Sequence, residues 1–384
     1  MAISWWLYVV ASLVPLGGCL RAQARETRGP LYYVSPAGSD RGAGSAASPF
    51  RTIQRAAQAA GPGDTVIVRP GVYSGPDRIV SLEKSGTATA WITFRAQPTR
   101  AAILDGRKGQ SLEGWYFGSG VGYVRIEGFE IRDLKEHGFD TYGGGVHDLM
   151  IVANHVHHIG RYCTDTSNGR TGASLGAGTR RVTFDGNLWH DIGRFAPGEQ
   201  GCSPKTQYYQ NHDHGIYVAD ADDVTIRNNV FYNFGRGWAI HRYFSGGAPS
   251  HGLVILNNTF VGQNPYRPGQ IILATPTEDL RIENNIFHSP QTAALYFEDI
   301  RFPRSVVRYN LVSAGRMKVG RPSGISIEHN WEWTDPRFIG PIDFRLRPDS
   351  PAIDAGMPLS EVSHDADGVP RPRGRGYDLG AYER

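Results

Sequence analysis

One pattern recurs through the middle of the chain and constrains its fold more than any other feature. The segments "VRIEGFEI" (124–131), "LMIVANHV" (149–156), "VTFDGNLW" (182–189), "VTIRNNVF" (224–231), "LVILNNTF" (253–260) and "LRIENNIF" (280–287) are variants of one unit. Apolar residues alternate, a polar pair follows, ending in Asn from the second copy onward, and a second apolar stretch closes the unit. Successive starts lie 25, 33, 42, 29 and 27 residues apart, and "VVRYNLVS" (306–313) is a degraded further copy. Period-two alternation places every other side chain on one face of an extended strand. A supersecondary repeat of this length cannot bury that face alone and must stack on its neighbours. The expectation is therefore an all-β solenoid with one turn of strands per repeat.

Within such a coil, Asn154, Asn187, Asn229, Asn258, Asn285 and Asn310 fall at one equivalent place and stack into a ladder. Asn suits it, because the side chain bonds turn backbone and tolerates left-handed angles. A structural role is expected for all six. The continuations "VHHIG" (156–160), "WHDIG" (189–193) and "FYNFG" (231–235) put His157, His190 and Tyr232 in one outward column. That column reads as polar surface.

The 48 glycines and 24 prolines fit many turns, and 40% apolar residues fit an ordinary core. A net charge of +3 with scattered bases gives no support to a nucleic-acid partner. The chain opens with "WWLYVVASLVPLG" (5–17), too short and proline-broken to span a bilayer comfortably. "LGGC" (16–19) would make Cys19 a lipidated N-terminus, whereas "AQA" (22–24) offers a secretory cleavage site. Both routes export the protein, as a secreted, periplasmic or lipid-anchored species, and either sets residues 1–24 apart from a domain over 25–384. The remaining cysteines, Cys163 and Cys202, lie in long polar loops, where an oxidising compartment favours a disulfide between them.

"TIQRAAQAAGPGDTVIVRPGVY" (52–73) is similar to the N-terminal cap and first coil of the pectate-lyase-like, right-handed parallel β-helix superfamily. "FRLRPDSPAIDAGMP" (344–358) with "DLGAYER" (378–384) resembles the closing segment of its secreted bacterial members. The expected architecture is a single-stranded right-handed parallel β-helix. Its cap with one short helix spans about 31–75, its repeats about 92–313 and its closing segment about 335–384. The resemblance implies a carbohydrate-active protein, with a polysaccharide lyase acting on an acidic, uronic-acid-containing polymer as the leading expectation. Glycoside hydrolases, uronan epimerases and non-catalytic glycan-binding or surface proteins share the fold and stay open as alternatives. A monomer is expected, with no membrane contact beyond a lipid anchor.

The strand before each repeat supplies the candidate site. Aligning "HGIYVA" (214–219) with "WAIHRY" (238–243) and "HGFDTY" (137–142) sets Tyr217 beside His241 and Asp140 in the same column. Two long inserts, after Gly160 and Gly193, leave equivalent corners and should wall a cleft over this face. His214, Tyr217 and His241 are the expected proton-transfer residues. Arg242, Lys205, Asp140, Arg170 and Arg194 are the expected substrate-binding groups. β-Elimination needs cations, from Arg, Lys or Ca²⁺, to neutralise the uronate carboxylate, and a base for the adjacent proton. "HDH" raises a competing metal reading through His212 and Asp213. Calcium would need several oxygens; "DADD" (220–223) offers carboxylates at a place where a turn selects Asp anyway. The "CTD", "DD" and "DHG" elements only partly match those of polygalacturonase-like hydrolases.

Overall fold

The computed structural model describes residues 29–163, 168–205, 211–246, 249–262 and 267–384. Alternating apolar residues form strands that pair only with the equivalent strand one coil away, always in parallel. Three long sheets result among the described residues, one of eleven strands and two of nine, wound as a right-handed parallel β-helix. The eleven-strand sheet begins at Leu31–Val34 and ends at Ser323–Glu328. Its inward columns are those read from the repeat: Ile126 pairs with Ile151, then Phe184, Ile226, Ile255 and Ile282. All are fully buried in one continuous core. Aromatic residues stack along the axis too, with Phe231, Phe260 and Phe287 rings 4.9 Å apart and nearly parallel.

Open ends of a solenoid expose core and strand edge, and the N-terminus answers this with the helix Ile53–Ala59. Thr52 caps it by accepting from the Arg55 amide, and Ile53, Ala56 and Ala57 face inward. The C-terminal segment behaves differently from an end cap. It runs back along the flank of the coils, where Phe344 and Ala381 pack with Val230, and Leu359 and Tyr377 pack with Leu256. Small satellite clusters thus join the strap to the solenoid, and a buried Arg371–Glu383 pair at 2.7 Å holds the strap to itself.

The asparagines form the expected ladder inside the turn. From Asn187 through Asn310 each side-chain oxygen accepts the backbone amide and side-chain amide of the Asn one coil earlier, and the Asn154 oxygen accepts the Phe129 amide. Asn330 adds a further rung beyond the last repeat recognised in the sequence. Where a second Asn precedes the rung it points the other way: Asn257 and Asn284 sit at φ 50° and 57° and bond the strap backbone at Asp378 and Met357.

Candidate active site

The outer face of the nine-strand sheet running from Arg78–Leu82 to Arg316–Val319 carries the chemistry. Parallel register fixes one column as Tyr116, Asp140, Ser174, Tyr217, His241, Ile272 and Tyr296 in successive coils. A second column runs Glu113, His137, Thr171 and His214. Residues three apart, such as His137 and Asp140, belong on opposite faces of a regular strand. Here both line one cleft, because the strand breaks its alternation at a buried glycine. A Cβ on Gly138 would lie 2.5 Å from the Gly172 carbonyl oxygen, and one on Gly215 the same distance from that of Ala239.

The cleft has a volume of about 800 Å³. At its floor His214 and His241 are hydrogen-bonded, Nε2 to Nδ1, at 2.9 Å. The Trp238 amide donates to His214 Nδ1 at 3.4 Å. An imidazole nitrogen that accepts carries no proton, so the His214 proton sits on Nε2 and is donated to His241 Nδ1. By the same rule His241 keeps its own proton on Nε2. Burial, the His241 ring and the charges of His212 and Arg194 hold His214 well below the usual histidine range. Burial, His212 and Arg242 push His241 down to about 3. The pair is therefore neutral at physiological pH. Tyr217 packs against both rings, at 5.6 and 5.2 Å between centroids. Burial and the neighbouring Tyr142 and Tyr243 raise its hydroxyl to about 12, so it is a protonated donor.

Carboxyls lie two and three coils away, Asp140 lining the cleft and Glu113 beside it. Burial raises Asp140, although the Tyr142 amide donates to its Oδ1 at 2.8 Å. Burial and the Asp140 charge lift Glu113 to about 7, against the pull of Arg78 at 3.0 Å. His137 bonds the Thr171 hydroxyl at 2.9 Å, and burial with the Arg170 charge takes it down to about 3. Arg170 is buried in the wall and pairs with Glu136 at 3.0 Å. Arg267, Tyr243 and Glu298 reach the rim from other coils.

Of the expected residues, His214, Tyr217, His241, Asp140, Arg170 and His212 line this cleft together. Others lie elsewhere, for reasons that local packing makes plain. Arg242 follows His241 by one residue, so it faces the interior; it is 1% exposed and donates to the Val218 and Ala219 carbonyls. Arg194 and Asp213 are both 0% exposed and form a bidentate pair at 2.7 and 2.9 Å. Asp213 also accepts the Arg170 and Arg194 amides, which commits both its oxygens to tying the two inserts together and removes it as a metal ligand. Lys205 is exposed on its loop and does not line the cleft. Asp222 accepts the His251 amide and Asp223 sits at φ 54°, as turn residues do. Among the described residues, groups of three or more converging His, Cys, Asp or Glu ligand atoms occur outside the cleft, and none includes His212. Cys163 and Cys202 are disulfide-bonded, joining the two inserts. Cys19 lies outside the described residues.

Sequence reasoning missed His137, Glu136, Glu113, Trp238 and Arg267. His137 had a signal, since "HGFD" repeats the "HG" of "HGIY" at the equivalent place. Glu113 and Arg267 had none, because only winding brings their coils alongside.

Comparison with known proteins adds to this geometry. A family model described as "Right handed beta helix region" matches residues 117–334, and one described as "Pel9A-like, right handed beta helix region" matches residues 32–184. An uncharacterized protein YwoF of Bacillus subtilis is 29% identical over 143 residues, 37% of this chain and 27% of that protein. Pectate lyase PEL9 of Emericella nidulans is 41% identical over 76 residues, 20% of this chain and 18% of that protein. The matched segments thus span under a third of these relatives. The crystal structure of pectate lyase Pel9A superposes with a TM-score of 0.54 at 15% identity, covering 94% of this chain and 98% of that one.

Proposed function

Since the chain belongs to the right-handed β-helix family, in its pectate-lyase-like form, we propose that it is an exported carbohydrate-active enzyme that cleaves a uronic-acid-containing polysaccharide by β-elimination. The observation that carries the reading is the hydrogen-bonded His214–His241 pair beside Tyr217 on the floor of a deep, aromatic-sided cleft. Coils are spaced by about 4.8 Å, so Asp140 and Tyr217 lie about 10 Å apart, with only Ser174 between them. A sugar ring fits that gap. Asp140, whose carboxylate burial makes a stronger base, takes the proton next to the uronate carboxylate. The C–H electrons form the new double bond, the glycosidic C–O bond breaks, and Tyr217 or His241 Nε2–H returns a proton to the leaving oxygen. Arg170 and Arg267 are the cations available to the carboxylate. His214 is a positioning residue, holding the His241 proton on the cleft side.

A glycoside hydrolase is the second reading, favoured by one observation: the raised Asp140 and Glu113 retain a proton between them, as a general acid must. Incubating the protein with pectic, alginate-like and neutral polysaccharides separates the two. Ultraviolet-absorbing unsaturated ends are expected. New reducing ends without that absorbance would establish hydrolysis, and binding without either product would leave a non-catalytic glycan-binding protein.

A further inference from the structure

A second cluster of ionisable side chains lies on the other nine-strand sheet, away from the cleft. Glu130 in Glu130–Arg132, His155 and His157 in His155–His157, and His190 in Leu188–His190 occupy three adjacent coils. First and third residues of a strand share a face, so all four side chains project outward together. The sequence reading of a polar surface column anticipates His157 and His190 but not this density.

The contacts are unlike those of an ordinary polar stack. His155 Nε2 and His190 Nε2 meet nitrogen to nitrogen at 2.7 Å. His157 and His190 stack in parallel, 4.9 Å between centroids, and His155 lies 4.3 Å from His157. His157 Nε2 is buried without a hydrogen-bond partner and faces Glu130 Oε1 at 3.4 Å. An unpartnered buried nitrogen is a cost the fold carries unless something supplies the missing contact. Asp191 Oδ2 accepts from His190 Nδ1 at 2.6 Å, and Asn233 in turn donates to Asp191. This fixes the His190 proton on Nδ1 and turns the Nε2 lone pair toward His155, the arrangement by which a carboxylate orients a metal-bound imidazole. Arg132, Arg100 and His158 are the opposing charges; Arg132 is paired with Glu130 at 2.9 Å and Asp105 at 3.1 Å.

We propose that Glu130, His155, His157 and His190 form a binding site for a zinc-class divalent transition ion that staples three successive coils. Imidazole and carboxylate are the donors such ions select. Ligand atoms of Glu130, His155 and His157 already lie within 4.8 Å of one another. Tetrahedral bonds of about 2.1 Å need them about 3.5 Å apart, a closure that side-chain rotation supplies. The ion would add cross-coil bonds on a sheet that the proposed catalysis does not use, so its role is stabilising.

The test uses the untagged mature protein, stripped with a chelator and titrated with zinc sulfate. About one zinc per chain retained after desalting, and a thermal midpoint raised by several degrees, are expected. The double variant His155→Ala, His157→Ala should lose both effects, while His214→Ala in the cleft keeps them. Because two alanines in one patch can disturb folding, Glu130→Gln is measured in parallel, with circular dichroism as the check; about tenfold weaker zinc retention is expected there. No retained zinc in the parent, or undiminished retention in folded Glu130→Gln together with the double variant, overturns the site.

Discussion

Asn229 shows how much one side chain carries in this fold. Its oxygen accepts from the Asn187 backbone and side-chain amides at 3.0 and 2.9 Å, and its own amide reaches Asn258 and the Phe184 carbonyl at 3.0 Å each. Asn229→Ala leaves those buried groups unpaired and should cost about 3 kcal/mol, read as a lower midpoint in urea unfolding with unchanged slope. Asp213 makes the complementary case. Its carboxylate pairs with the Arg194 guanidinium, both groups being out of water. Asp213→Ala removes the carboxylate that faces this buried guanidinium and should destabilise by about 3–5 kcal/mol in the same measurement. The asparagines were legible in the sequence because the repeat places them identically in each coil. Asp213 was not, since an aspartate between two histidines looks like a ligand until its partner, nineteen residues away, is known.

At the scale of the strand, neighbouring coils do what no single segment can. His214–Val218 and Ile240–Arg242 lie side by side in register, and the proton order along Trp238, His214 and His241 depends on that pairing. Tyr217→Phe and His241→Ala should each lower kcat by about 10²–10⁴-fold on the cleaved polysaccharide. His214→Ala should shift the pH profile more than KM, because it releases the His241 proton from its fixed side. Nitrogen NMR of the imidazoles gives a direct check: His241 Nδ1 is expected to be unprotonated and Nε2 protonated. An inverted assignment would move the donor role to Tyr217 alone. Period-two alternation placed Tyr217 and His241 outward correctly. The same rule, applied to Arg242, excludes it from the cleft, so its expected role failed on a principle already in hand.

For the whole molecule, burial of imidazoles sets the response to acid. His137 and His241 are held at about 3 and His214 well below the normal value of 6.5, chiefly by desolvation. The unfolded chain takes up protons at pH 6.5 and the folded chain does not, so the stability they contribute is present above 6.5 and lost as pH falls below it. Glu113 has the opposite sign: its raised value means stability present below 4.5 and lost as pH rises through about 7. In and beside the cleft, three lowered imidazoles stand against the raised Glu113 and Asp140, so the thermal midpoint should fall on acidification below pH 6.5. In Glu113→Gln the parent's loss on the alkaline side should be reduced, and an unchanged pH profile in that variant would contradict a proton held at Glu113. The C-terminal strap is also a property of the whole. Removing residues 335–384 uncovers Val230, Leu256, Ile286 and Leu311, and the truncated chain should aggregate on sizing chromatography.

The sequence by itself determined the strand repeat, the inward and outward faces, the asparagine ladder and the capping helix, because each follows from alternation within a few neighbouring residues. Only the tertiary structure decided which ionisable side chains share a space. Two long inserts separate Asp140 from His214 along the chain, and winding returns Asp140, His214 and His241 to one face. Whether a charged group there meets a carbonyl, an opposite charge or the open cleft is set by packing across coils. That is why Arg194, Arg242 and Asp213 became parts of the scaffold, while His137 lines the cleft.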